Sequence, residues 1–182
     1  MINMLTLVLA DSTMRPSVDK IDGKQSDPYL VHVTLLLVND SILAHEHELR
    51  TIVHTRDNNV FTIEPDVHIP PRLSQFEEMM VRCVQGFGPK GIKYENKSLM
   101  DVLRPLMGTR VVMSPGGKRK DPVDILSRVE DYVVVIGGFK EGDFINPVYP
   151  WADHVISLCE RDLKPWTVAS EVISSYMYSS LE

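Results

Sequence analysis

An α/β fold is the class this 182-residue sequence predicts, and three observations carry it. Two short apolar stretches, Tyr132–Ile136 and His154–Ser157, each run into a small polar loop before an amphipathic helix begins. A strand–turn–strand pattern spans residues 51–63. A hydrophobic content of 43% over this length builds one well-buried core and is short for two. A single domain over 1–182 is therefore expected, with the β-hairpin at about 50–65 inserted near its middle.

The elements follow in order. Leu5 to Ala10 reads as a first buried strand, since the opening segment is broken by Asn3 and Thr6, lacks a basic leader and ends at Asp11, unlike a signal peptide. Asp11 to Asp27, with Pro16 and Gly23, reads as an irregular connection. The apolar run from Pro28 to Val38 suits a buried helix with proline in its first turn, although periodicity alone leaves a strand open. Thr51–Thr55 and Val60–Ile63, joined by Asp57, Asn58 and Asn59, make the hairpin. Pro65, Pro70 and Pro71 stiffen an extended elbow; Ser74 is a candidate cap for a helix through Phe76, Met79, Met80 and Cys83, which Gly86, Gly88, Pro89 and Gly91 stop. Ser98 caps a helix over Leu99, Val102 and Leu103, and the strand Thr109–Met113 halts at Pro115, Gly116 and Gly117. A short helix is expected over Asp124–Val129, and Pro165 opens a last helix whose Val168, Val172, Ile173 and Tyr176 recur at helical spacing.

Composition narrows function. Cys83 and Cys159 are too few for a disulfide framework and form no CxxC pair, which favours a reducing, cytoplasmic setting. No run approaches the ~20 apolar residues of a membrane helix, so no membrane partner is expected. Nineteen basic against twenty-five acidic residues give a net charge of −6, a balance that argues against nucleic acid unless the cations cluster. Some do: Lys118, Arg119 and Lys120 are consecutive, and Arg72, Arg82, Lys90 and Lys93 share one region. Ordinary solvated charge explains such runs as well.

Loops at strand ends are where open α/β sheets hold ligands, and glycine there lets the backbone approach a flat, polar molecule. Neither GxGxxG nor GxxxxGK[ST] occurs, so a cofactor other than a dinucleotide or nucleoside triphosphate is favoured. His45, Glu46, His47 and Glu48 lack the HExxH spacing of a helical zinc site, so a solvated loop is preferred and no metal is expected. Cys159 reads as a small apolar residue, and His32 and His54 as hydrogen-bonded core residues rather than catalysts.

Beyond this the order of motifs takes over. Leu9-Ala10-Asp11-Ser12, His32-Val33-Thr34-Leu35-Leu36, Asp40-Ser41, Val53-His54-Thr55, Ile63-Glu64-Pro65, Ile69-Pro70, Ile136-Gly137-Gly138-Phe139 with Gly142, and Leu163-Lys164-Pro165-Trp166-Thr167-Val168 follow one another along nearly the whole chain. This array resembles the EMG/NEP ribosome-biogenesis methyltransferases of the SPOUT superfamily, which methylate N1 of a pseudouridine in small-subunit rRNA. The resemblance implies a SPOUT-type sheet with a C-terminal trefoil knot, an exception to the usual avoidance of knots. It also implies a homodimer and S-adenosylmethionine as cofactor, held by Met113, Gly137, Gly142 and the loop of Leu158, Cys159, Glu160, Arg161, Asp162 and Leu163.

The pattern departs in one region. The family's Arg-Pro-Asp before the apolar helix reads Asp27-Pro28-Tyr29 here, so Asp27 becomes the candidate catalytic proton acceptor. Three arginines of the elbow are replaced by His68, Pro71 and Gln75, with Arg72 the nearby cation, and His68, Arg72 and Gln75 are the expected RNA contacts. The segment Asp11–Asp27 is also shortened. The alternative is a catalytically altered member acting as a ribosome-assembly or RNA/protein-binding factor.

Overall fold

Leu5–Ser12 forms the central strand β1, whose residues are buried throughout because both faces of the sheet are covered. Side chains alternate as the pleat demands. Leu5, Leu7 and Leu9 enter one apolar core, and Val8 and Ala10 the other. The computed structural model describes residues 2–17 and 26–179.

Seven strands form one mixed sheet in the order β4-β3-β2-β1-β6-β5-β7. β2 (Leu49–Thr55) and β6 (Tyr132–Gly137) flank β1 in parallel, and β5 (Thr109–Arg119) and β7 (His154–Ser157) continue the parallel half beyond β6. On the other side β3 (Asn59–Ile63) pairs antiparallel with β2, and β4 (Ile92–Asn96) antiparallel with β3. Asn58, in the left-handed region at φ 63°, makes the turn between β2 and β3.

One core lies under α1 (Tyr29–Asn39), α2 (Ile42–His45), α3 (Leu73–Val84) and α6 (Pro165–Tyr178). The other lies under α4 (Leu99–Leu103) and α5 (Val148–Trp151). In α1 the expected buried helix forms, and its buried Thr34 hydroxyl is satisfied by donating to the Leu30 carbonyl at 2.6 Å. Ser98 caps α4 as expected, accepting from the Asp101 N–H.

Several expectations need correction. Pro28 is the residue before α1 rather than in its first turn. The residue before α3 is Arg72, in extended conformation, and Ser74 lies inside the helix. Residues 124–129 do not make a helix: Asp121 accepts from the Val123 N–H and sustains only a single tight turn at Pro122–Asp124. β4, α2 and α5 had no clear sequence signal because each is short and half polar or proline-flanked. Most consequentially, β5 does not stop at Pro115. Its pairing with β7 lapses between Met113 and Lys118 and then resumes at Lys118–Ile156 and Arg119–Ser157. Glycine permits the rejoining, since a Cβ on Gly117 would lie 2.8 Å from the Val155 carbonyl oxygen. Asp11 and Ser12 extend β1; of the connection to Asp27, residues 18–25 fall outside the described residues.

At the N-terminal end of the central strands, the Arg128 guanidinium donates to Glu48 at 2.9 and 3.1 Å and also to Glu46, so the glutamates of the expected solvated loop tie α2 to the entry of β6. These carboxylates hold the guanidinium above its usual range, the hydrogen bond to Glu48 being the largest cause. Arg128→Ala is expected to cost about 1 kcal/mol in urea unfolding, the upper end of what exposed ion pairs contribute.

Candidate functional site

The C-terminal ends of β5, β6 and β7 converge, and an open hollow of about 680 Å³, counted with the solvent it opens to, lies over them. That is the place open α/β sheets use to hold ligands. Its floor is apolar, from Met113, Ile136, Ile156, Leu158 and Val168. Its rim carries Lys140, Asp143, Arg161 and Asp162. Of the residues expected to hold a cofactor, Met113, Gly137, Gly142, Leu158, Cys159, Arg161, Asp162 and Leu163 line this hollow, while Glu160 stands outside its lining and is exposed.

The loop from Gly138 to Pro147 forms one wall. It begins at Gly138, whose N–H donates to the Ala10 carbonyl at 2.9 Å and whose carbonyl accepts from the Thr13 N–H at 3.2 Å. Phe139 lies under the Arg56 guanidinium at 5.5 Å and packs edge-on to Phe144 at 5.3 Å. Asp143 accepts from the Phe144 N–H at 2.8 Å and from the Tyr149 hydroxyl, which in turn sits 3.1 Å from Ser114 Oγ. Burial, then Asp143, pushes the Tyr149 phenol up, so it stays a hydrogen donor at neutral pH. The lapse in β5 pairing is what frees Ser114 and Pro115 to join the wall. Where β5 resumes, the run Lys118-Arg119-Lys120 lies along the end of β7, with the Lys120 N–H donating to the Ser157 carbonyl at 3.3 Å. A basic run that the sequence left in an exposed loop thus pairs with Ile156 and Ser157, two residues of the lining.

Asp27 is half-buried and not in the lining, but its N–H donates to the Thr13 carbonyl at 3.2 Å, one link from Gly138. His68, Arg72 and Gln75 lie apart from the hollow, exposed along the proline elbow. His32 holds that elbow: its Nε2–H donates to the Pro70 carbonyl at 2.7 Å and its ring stacks on Phe76 at 4.7 Å. Back along α1, Tyr29 packs edge-on to Trp166, the neighbour of the lining residue Pro165.

Behind the hollow, Asp11 and His54 are both fully buried. The Asp11 N–H donates to His54 Nδ1 at 3.2 Å, so Nε2 carries the proton and donates to Asn58 Oδ1 at 3.0 Å. Burial lowers the His54 pKa from 6.5, against the smaller raising effects of Asn58 and Asp11. The unfolded chain therefore binds the extra proton first, and the stability that depends on neutral His54 is complete above pH 6.5 and lost as pH falls from there toward the depressed value. A urea midpoint that drops between about pH 7.5 and about pH 5.5 in the wild type, and drops less in His54→Gln, is the expected result.

Sequence reasoning missed Asp143, Tyr149, Ser114 and Arg56. Asp143 follows Gly142 and was within reach of the strand-end argument; the others depend on strand register and helix placement, which no local pattern carries.

A model of the EMG1/NEP1 methyltransferase family matches residues 8–177. The ribosomal RNA small subunit methyltransferase Nep1 of Thermococcus onnurineus is 34% identical over 180 residues, covering 93% of this chain and 81% of that protein. The protein of the same name from Methanothrix thermoacetophila is 32% identical, covering 87% and 73%. In fold the chain is similar, with a TM-score of 0.75 and 18% identity over 100% of both chains, to the crystal structure of Archaeoglobus fulgidus Nep1 bound to S-adenosylhomocysteine. With the family model spanning both the elbow and the strand-end hollow, the chain belongs to the EMG1/NEP1 methyltransferase family.

Proposed function

We propose that this protein is an S-adenosylmethionine-dependent methyltransferase acting on N1 of a pseudouridine in small-subunit rRNA during ribosome biogenesis. The observation that carries the reading is the coincidence of the strand-end hollow with nearly all the cofactor residues that the family resemblance assigns. The lining fits the group. An apolar floor suits adenine, the Gly142 backbone has open space where a Cβ would stand, and carboxylates and cations share the rim as an amino-acid moiety with both charges requires. S-adenosylmethionine supplies an electrophilic methyl on a sulfonium, and no metal ion is needed.

The chain's own residues do the rest. The hollow fixes the donor for in-line attack, which is a matter of alignment. Asp27 takes the N1 proton, and Arg72, His68 and Gln75 on the elbow, with Lys118 to Lys120 at the rim, meet the phosphates around a base turned out of its stack. The family's homodimer, its knotted C-terminal threading and a cytoplasmic location complete the proposal. Among the described residues no helix is long and apolar enough to cross a membrane.

The test is methyl transfer to a pseudouridine-containing RNA hairpin, with calorimetric titration of S-adenosylhomocysteine alongside. Lys118→Ala with Arg119→Ala is expected to weaken hairpin binding irrespective of sequence and to lower the slope of log K against log salt by about 1 per lost phosphate contact. Hairpin binding absent even at low salt rejects the RNA substrate.

The second reading, a family member altered in catalysis that serves as an assembly or RNA/protein-binding factor, is favoured by one observation, Asp27-Pro28-Tyr29 in place of the family's Arg-Pro-Asp, which loses the arginine and moves the acid. Methyl incorporation that falls by about 10²-fold or more in Asp27→Asn, the range of a lost general base, decides against it.

A further inference from the structure

We propose that Asp11 is a positioning residue for the methyl donor: its buried carboxylate clamps Ile145 and Asn146 and so sets the loop that walls the cofactor hollow. The inference rests on the cofactor reading given above and goes beyond it to a residue outside the hollow.

Every polar atom of Asp11 is committed. Oδ2 accepts the backbone N–H groups of Ile145 at 2.7 Å and Asn146 at 3.0 Å, and Oδ1 accepts the Asn146 side-chain amide at 2.5 Å. Its own N–H goes to His54 Nδ1, and its carbonyl accepts from Arg56 Nε at 3.2 Å. The side chain is 0% exposed, and the residue sits in the left-handed region at φ 53°, which aspartate and asparagine tolerate better than other residues carrying a Cβ.

A buried carboxylate is a poor way to gain stability, because desolvating it offsets most of what its hydrogen bonds return. What it does well is fix geometry, since a charged acceptor on consecutive backbone N–H groups admits one register of the loop. The clamp falls where register matters. The loop is tied at its start by Gly138 and at its end by Asp11, and between these ties Phe139, Lys140, Gly142, Asp143 and Phe144 line the hollow. Much of that stretch is exposed, Lys140 to Asp143 without a break. Little besides the two ties, the Arg56 guanidinium over Phe139 and the contacts of Phe144 and Tyr149 determines where Asp143 stands.

Asp11→Asn preserves size and tolerance of the left-handed conformation but sets an amide N–H₂ against the loop's donors. The expected result is a Kd for S-adenosylhomocysteine raised about ten-fold or more, with KM for S-adenosylmethionine raised and kcat at saturating donor within about two-fold, because a preorganised wall has become a floppy one. Asn146→Ala, which deletes one of the three donors, gives a smaller rise in the same Kd. Arg128→Ala lowers stability from the far, N-terminal end of the strands and leaves that Kd unchanged, which separates positioning from general loosening. A folded Asp11→Asn protein that binds S-adenosylhomocysteine as the wild type does overturns the proposal. If Asp11→Asn does not fold, an unchanged Kd in Asn146→Ala overturns it instead. Wild-type protein that fails to bind S-adenosylhomocysteine removes the cofactor reading and this proposal with it.

Discussion

Tyr176→Ala is expected to lower the stability of the fold by about 3–5 kcal/mol, the cost of deleting a large buried aromatic whose space cannot be refilled. Tyr176 is 0% exposed and lies on the inner face of α6 with Ala169, Val172 and Ile173. Its ring meets Tyr132 edge-on at 6.1 Å, joining the last helix to the start of a central strand. Its hydroxyl donates to the Glu130 carbonyl at 3.2 Å, with the Arg128 carbonyl at 3.5 Å. A lesser variant apportions the loss. Tyr176→Phe keeps the ring and removes the hydrogen bond, for about 1 kcal/mol. It also changes the response to alkali. Burial first, then Glu48 and Asp131, pushes the Tyr176 phenol up to about 12, whereas the unfolded phenol ionises near 10, so stability falls as pH rises between those values. The fall is smaller in Tyr176→Phe, though not absent, because burial and Glu130 hold Tyr132 at about 12 in the same way. Urea unfolding at neutral and alkaline pH measures all three effects, and a Tyr176→Ala protein within 1 kcal/mol of wild type would contradict the packing.

The sequence was legible where one physical rule dominates. Buried strands announce themselves by apolar runs, as β1 and β6 do, and α6 by proline at its start and helical spacing after it. It was misleading where two rules compete. Pro115, Gly116 and Gly117 carry a stop signal, yet β5 bulges and resumes, because the ladder with β7 recovers the hydrogen bonds that the local sequence gives up. That tertiary choice sets Lys118, Arg119 and Lys120 against the end of β7, whose Ile156 and Ser157 line the hollow, and gives a globally acidic protein a local basic run there. The glycines show the same competition. Their freedom was read as room for a cofactor, and Gly142, at φ 89° with nothing near its missing Cβ, fits that reading. Gly137 and Gly138 are instead hemmed in by the protein itself, by the Phe139 ring and by Ser12. Asp11 was legible only as part of a motif, since nothing local shows that its carboxylate meets a segment 134 residues away.

The crowding at Gly138 leads to an expected loss of both ligand binding and stability. A Cβ placed there would stand 2.1 Å from Ser12 Oγ, 2.8 Å from Ser12 Cβ and 3.0 Å from Ser12 Cα. Rotation can move the hydroxyl, which donates to the Leu9 carbonyl at 3.2 Å, but the other two atoms move only with β1. Gly138 is itself pinned to that strand's end by its bonds to Ala10 and Thr13, so the two strand ends must part. Overpacking of this kind costs about 1–3 kcal/mol. The strain falls beside Gly137 on the hollow's wall, so Gly138→Ala is expected to weaken S-adenosylhomocysteine binding by about ten-fold or more in calorimetry as well as lowering the melting temperature. Gly142→Ala is the contrast: open space awaits its Cβ, and its left-handed backbone costs only about 1 kcal/mol of stability. Ser12→Gly removes the Cβ and Oγ that Gly138→Ala strikes, so the double variant regains stability and affinity that the sum of the single changes does not predict. If Gly138→Ala binds and melts like the wild type, or if Ser12→Gly fails to relieve it, the close approach of β1 and β6 is not what shapes this wall.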